Sequence, residues 1–252
     1  GRARSIWSPR VLETLDFLEA KDTPACPTFD PIGSFLIHLP VEAKASRTVR
    51  LMIGYAKKKE KALDMVQKHL KPNPAKAQSS FRPRPHALLI GHGEIPQGTP
   101  QPYYDFRENG NKLLIKTPFT PRPFDHGMSN PVHSVMVTNR GLHTSCNGNS
   151  QQNRLTPDWP DTVTREIPSE AIYLYEPDSG EWYSPTHHPL NDVNAKNECE
   201  FGVDGTAIFR MSKGNLSTEL TVFVPTGDPM GVYLLTVHNH EDRPRKIRIA
   251  PY

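Results

Sequence analysis

The chain has 252 residues, with 30 Lys and Arg against 27 Asp and Glu, so its net charge is only +3. So even a balance excludes a dedicated polyanion partner such as nucleic acid, and no apolar run approaches the ~20 residues that a membrane-crossing helix needs. The 26 prolines, roughly twice the average share of ~5%, argue against a helical bundle or an (α/α) barrel, because long helices tolerate proline poorly.

The first residues show no basic, apolar and small-residue leader pattern. Residues 11–18, VLETLDFL, predict a short helix after Pro9. Strands are expected at 34–39 and at 48–55, where Val49, Leu51 and Ile53 alternate with Arg50 and Met52. The period then changes: Ala62, Met65, Val66, His69 and Leu70 recur at helical spacing, so one short helix is expected near 58–70, ended by Pro72. Residues 73–102, rich in Pro, Ser and Lys, read as a linker, interrupted by a short apolar run at 87–90.

From 103 onward the pattern is all-β. A turn at 108–111, ENGN, precedes a strand at 112–116. Strands at 132–138 and 142–146 flank Asn139-Arg140-Gly141, a hairpin signal. Another runs from 171 to 175 into the turn Pro177-Asp178-Ser179-Gly180 and then Trp182-Tyr183. The clearest strand is 216–224: Leu216, Thr218, Leu220, Val222 and Val224 share one face, and Ser217, Glu219 and Thr221 the other. Further strands follow at 232–238 and 246–250. Many short strands at this spacing predict a β-sandwich.

The chemistry-bearing motifs are few. Cys26, Cys146 and Cys199 have neither metal-site nor disulfide-framework spacing, which favours a reducing, cytoplasmic compartment. No phosphate loop or nucleophile elbow is present. His187-His188 and His238/His240 lack a third ligand at a characteristic spacing, so they read as surface histidines, and no metal or cofactor is expected. Asp158, Asp161 and Glu170 are candidate paired carboxylates, though Asp beside Pro more often serves a turn. The most informative segment is 149–161, NSQQNRLTPDWPD. Its amides, guanidinium and indole are the planar groups and flat ring that saccharides take. The competing reading makes Trp159 and Trp182 packing residues.

That segment, with 170–186, EAIYLYEPDSGEWYSPT, resembles a signature of the cyclic β-1,2-glucan synthases and cellobiose- or chitobiose-type phosphorylases, glycoside hydrolase family 94, formerly glycosyltransferase family 36. The family pattern runs approximately N-S-R-E-N-x-L-T-P-W, then E-A-x-Y-L-R-D-E-x-T-G-E-x-W-S-P-T. FTPRPF at 119–124, Ser129-Asn130-Pro131, FGVDG at 201–205, LTVFVPTGDP at 220–229 and LLTVHNHEDRPR at 234–245 follow in the right order. Residues 1–72 are similar to the tail strands and helix that, in the family, come after such a segment rather than before it.

The resemblance implies a large antiparallel β-sandwich of the galactose-mutarotase-like, supersandwich type. It implies a domain at 103–252, tail strands and a helix from another part of a sandwich at 1–72, and packing on an (α/α)6 catalytic barrel that carries the acid and the phosphate site. No catalytic residue is therefore carried over. Asn153, Arg154, Thr156, Trp159, Asp161 and Trp182 are the expected carbohydrate-binding or domain-interface residues, and Trp182 is expected to buttress the loop. Gln151-Gln152 and Tyr175-Glu176 replace the pattern's Arg-Glu and Arg-Asp. Retained turn and core positions beside altered charged ones favour a non-catalytic carbohydrate-associated module. The rivals are part of an active inverting phosphorylase or glucan synthase, and an interaction module with a decayed sugar site. Expected partners are a β-glucan or other saccharide and the barrel.

Overall fold

The structure, a computed structural model, describes residues 37–54, 56–70, 97–150, 152–156 and 168–252. The expected helix at 11–18, the run at 87–90, and Trp159 and Asp161 lie outside them. The elements, in order, are β1 (Ile37–Val41), β2 (Ser46–Gly54), α1 (Lys59–Leu70), β3 (Tyr104–Arg107), β4 (Lys112–Ile115), β5 (Asp125–Ser129), β6 (His133–Thr138) and β7 (Gly141–Asn147). They continue with β8 (Ile172–Glu176), β9 (Glu181–Tyr183), β10 (Lys196–Gly202), β11 (Thr206–Lys213), β12 (Leu216–Phe223), β13 (Met230–Asn239) and β14 (Arg245–Pro251).

Among the described residues every strand pairing is antiparallel. One sheet has the order β2-β13-β12-β11-β10-β4-β3, a second β1-β14-β8-β9, and a third β5-β6-β7. Alternation explains the core. Val49, Leu235, Leu220, Phe209, Cys199 and Ile115 stand in register across six neighbouring strands. Facing them are Ile37, Ile249, Leu174 and Tyr183 of the four-stranded sheet, with Val135 and Val137 of β6, in one continuous apolar cluster. Each fully buried Leu or Phe there contributes roughly 1.5–3 kcal/mol by leaving water. The fold is an antiparallel β-sandwich.

Two corners bind the sheets together. The chain passes from β13 in the large sheet to β14 in the four-stranded one, and β1–β2 makes the matching crossing in reverse, pairing along both. Residues 37–54 thus share the core of the strands near the C-terminal end. Asn239, 1% exposed, ties the corners: its Nδ2 donates to the carbonyls of Val41 (3.3 Å), Glu42 (3.1 Å) and Arg243 (2.7 Å). Its Oδ1 accepts from the Glu241 amide at 3.0 Å. Asn239→Ala strands those groups and is expected to cost about 2 kcal/mol, measured by urea unfolding; a cost below roughly 0.5 kcal/mol, the ordinary surface value, would show that the corner is held elsewhere.

The 139–141 hairpin forms, but glycine serves it differently than a primed turn requires. Thr138 pairs with Gly141, so the loop is Asn139-Arg140, and none of the three residues has positive φ. A Cβ on Gly141 would meet the Cβ of His188 at 3.1 Å. The glycine admits a neighbouring segment rather than an unusual backbone.

Candidate functional site

The connection after β7 is a tight turn that returns along its own strand. Gly148 has φ +75°. Asn149 accepts through its carbonyl from the Asn153 amide (2.8 Å) and through Oδ1 from the Gln152 amide (3.1 Å). The Asn147 amide donates to the Asn153 carbonyl at 2.9 Å. Arg154 then bridges to Cys146, and the Leu155 amide donates to Ser145 at 2.9 Å, so the chain at 154–155 runs back beside β7. Because these main-chain groups are satisfied within the turn, the exposed side chains of Asn153 and Arg154 are left to present outward. Thr156 points the other way: it is buried, with Oγ1 2.7 Å from Thr144 Oγ1.

Beneath this turn lies a buried polar group. Glu170 accepts from Ser145 Oγ (2.9 Å) and from the Tyr233 hydroxyl, joining β7 to β13. Burial pushes the Glu170 carboxyl upward, against the hydrogen bonds from Tyr233 and Ser145 and the nearby His143. Burial also raises the Tyr233 hydroxyl, and the adjacent carboxylate adds to it. Glu170, one of the candidate carboxylates, is thus enclosed as a tie between sheets. Its proposed companions Asp158 and Asp161 lie outside the described residues.

Trp182 belongs to the β8–β9 hairpin. Its ring lies 4.6 Å from Tyr175, tilted 33°, and edge-on to Tyr173 at 6.3 Å. Lys213 Nζ donates to its carbonyl at 3.3 Å and is pinned by Glu181 and Asp192, both at 2.9 Å. Asn153, Arg154 and Thr156 therefore come together in one turn, while the ring partners of Trp182 are the β8 tyrosines.

The sequence pattern of the glycosyl hydrolase 94 supersandwich domain matches residues 111–252. The chain belongs to the glycosyl hydrolase 94 family. It is 25% identical over 152 residues to the N,N'-diacetylchitobiose phosphorylase of Vibrio furnissii, covering 59% of this chain and 19% of that protein. It is 23% identical over 149 residues to the solabiose phosphorylase of Paenibacillus borealis, covering 59% and 19%. The 3-O-beta-D-glucopyranosyl-beta-D-glucuronide phosphorylase of Paenibacillus borealis is 25% identical over 147 residues, covering 58% and 18%. The chain thus spans about a fifth of the length of the curated relatives it matches.

Within this glycosyl hydrolase 94 supersandwich, one altered signature position has a structural role. Glu176, standing where the pattern has Asp, is the buried partner of Arg245, and Ser179 Oγ donates to it at 2.6 Å. The sequence did not single out Arg245, because its partner is 69 residues away.

The histidine reading needs correction. His187 and His188 are 5% and 9% exposed, inside a corner built from three signature segments. The His188 amide donates to Arg140 (2.8 Å), Thr186 Oγ1 donates to the His188 carbonyl (2.6 Å), and His187 meets the Phe119 ring edge-on at 5.2 Å. Arg140 Nε donates to Pro118 (2.9 Å) and its Nη2 to Thr120 (3.0 Å), which locks the FTPRPF segment against the hairpin. Doublet spacing does not reveal such burial; Gly141 opposite His188 is the only local hint. The other pair is held by serines, His238 by Ser46 (2.5 Å) and His240 by Ser217 (2.7 Å). Among the described residues, no group of three or more His, Cys, Asp or Glu could hold a metal ion, and no helix is long and apolar enough to cross a membrane.

Proposed function

We propose that this supersandwich is a non-catalytic, carbohydrate-associated module of a phosphorylase-like protein, and that the turn after β7 faces a saccharide or a neighbouring catalytic (α/α)6 barrel. The observation that carries this reading is the turn itself. Its backbone is internally hydrogen-bonded while Asn153 and Arg154 project from it. A preorganised loop offering an amide and a guanidinium holds sugar hydroxyls at low entropic cost. Trp159 and Asp161, from the same connection, add a ring and an acceptor, and Thr156 anchors the base.

The three relatives are phosphorylases by name, which supports a phosphorylase setting ahead of a cyclic β-1,2-glucan synthase. In this reading residues 37–54 close the 103–252 body and 73–102 connect them. Cys146 and Cys199, free thiols in the core, support a cytoplasmic site of action.

Calorimetric titration with N,N'-diacetylchitobiose, cellobiose and β-1,2-gluco-oligosaccharides tests it. Arg154→Ala is expected to weaken binding by about tenfold or more, the loss of about 1.4 kcal/mol, and to leave unfolding within roughly 0.5 kcal/mol. Absence of binding by the unaltered chain, or binding indifferent to Arg154, overturns the saccharide-facing reading and leaves the turn as an interface to the barrel.

A further inference from the structure

The outer face of the four-stranded sheet carries an arrangement that the turn after β7 does not use. His38 pairs with Arg248, Arg248 with Tyr175, and Tyr175 with Trp182. The adjacent residues Ile37, Ile249, Leu174 and Tyr183 form the inward row. Side chains alternate along a strand, so the four point away from the core in one line. His38 is exposed; Arg248, Tyr175 and Trp182 are half-buried.

Neighbouring strands lie about 4.8 Å apart, so the line spans about 14 Å. At one end are two rings 4.6 Å apart. In the middle is a guanidinium that, among the described residues, no hydrogen bond or ion pair engages, and at the far end an imidazole. Lys246, two residues before Arg248 on the same face, is exposed. No carboxylate stands in the line. Glu181, beside Trp182 in sequence, belongs to the other face and is held by Lys213 at 2.9 Å.

We propose that this row is a binding surface for an acidic oligosaccharide, a chain of pyranose rings bearing carboxylates. Tyr175 and Trp182 are partly exposed, Trp182 packing in part on Ala171, Tyr173 and Ala250, and offer their remaining apolar area to a sugar ring. A free guanidinium offers the two-pronged donor that a carboxylate takes, which an ammonium cannot imitate. Lys246 and His38 extend the positive character along the strip. The charge balance favours an anionic sugar over a neutral glucan, and the aromatic end favours a sugar over a simple polyanion. The surface shares no residue with the 147–156 turn, so it stands or falls separately from that turn.

The test is calorimetric titration of the full chain with tetragalacturonate, with neutral cellotetraose and with tetrapolyphosphate. The acidic sugar is expected to bind at least tenfold more tightly than either control. Arg248→Ala is expected to weaken it tenfold or more with an unchanged thermal midpoint, and Arg248→Lys to recover only part. Trp182→Ala also disturbs the Tyr173 contact, so Tyr175→Leu is the second variant, expected to weaken binding several-fold. Arg154→Ala, which tests the turn, is expected to have no effect here. No binding of tetragalacturonate, equal binding of polyphosphate or cellotetraose, or binding unaffected by Arg248→Ala overturns the proposal.

Discussion

Arg245→Leu is expected to destabilise the domain by about 3–5 kcal/mol, the cost of leaving a buried charge without its partner. Arg245 and Glu176 side chains are 4% and 2% exposed. The guanidinium grips the carboxylate with both prongs, Nε to Oε1 at 2.7 Å and Nη2 to Oε2 at 2.6 Å. Nη2 also donates to the Tyr183 hydroxyl at 2.8 Å. The hydrogen bonds from Arg245 hold the Glu176 carboxyl below its usual range, against the upward push of burial. The stability this contributes is present above the ordinary carboxylate range and is lost as pH falls through the depressed value. Glu176→Leu is expected to be comparably damaging. The double variant, Glu176→Leu with Arg245→Met, is expected to recover most of the loss, because no charge then remains buried. Urea unfolding at neutral pH measures all three. Additive single costs, or a single cost under roughly 1 kcal/mol, the range of an exposed pair, would show that the pair is solvated.

Lowering the pH from 7 to 4 is expected to cost about 3 kcal/mol through His133 alone. This residue of β6 is fully buried, and neither ring nitrogen has a hydrogen-bond partner among the described residues. Burial lowers its pKa from 6.5 to about 4. Below pH 6.5 the unfolded chain takes up a proton that the folded ring refuses, so stability falls with pH until about pH 4 and then levels. The gap of about 2.5 units, at 1.36 kcal/mol each, sets the size. His133→Leu removes the titration and forfeits no hydrogen bond seen in the fold. It is expected to be near neutral at pH 7.5 and about 3 kcal/mol more stable than the unaltered chain at pH 4, once the difference between the two pH profiles cancels the other groups. Parallel profiles would show that the ring is solvated or paired.

Local patterning carried much of the fold. Strict alternation made β12 legible, the change of period marked α1 at Lys59–Leu70, and ENGN and PDSG fell on turns before β4 and between β8 and β9. What failed was non-local or electrostatic. β10, KNECEFG, is not among the strands expected above. Its Glu198 and Glu200 lie on the outer face, 3.9 Å from Arg210 and from Arg107 respectively, residues of neighbouring elements that no window contains. The expected strand at 34–39 is described from Ile37 onward and runs to Val41. Its pairing with β14, more than 200 residues away, leaves no trace in periodicity. Of the site, the sequence picked out the turn residues Asn153 and Arg154, whose chemistry is visible in their side chains. It passed over Arg248, which becomes notable only once register sets it beside Tyr175.

The most direct test of a saccharide-facing supersandwich is amide chemical-shift mapping of the isotope-labelled full chain during titration with N,N'-diacetylchitobiose and β-linked gluco-oligosaccharides. Saturable shifts concentrated at 149–156, with the β5–β6 strands unmoved, are the predicted result. A spectrum that stays unchanged at millimolar sugar, or shifts confined to surfaces that exclude the turn, would contradict it.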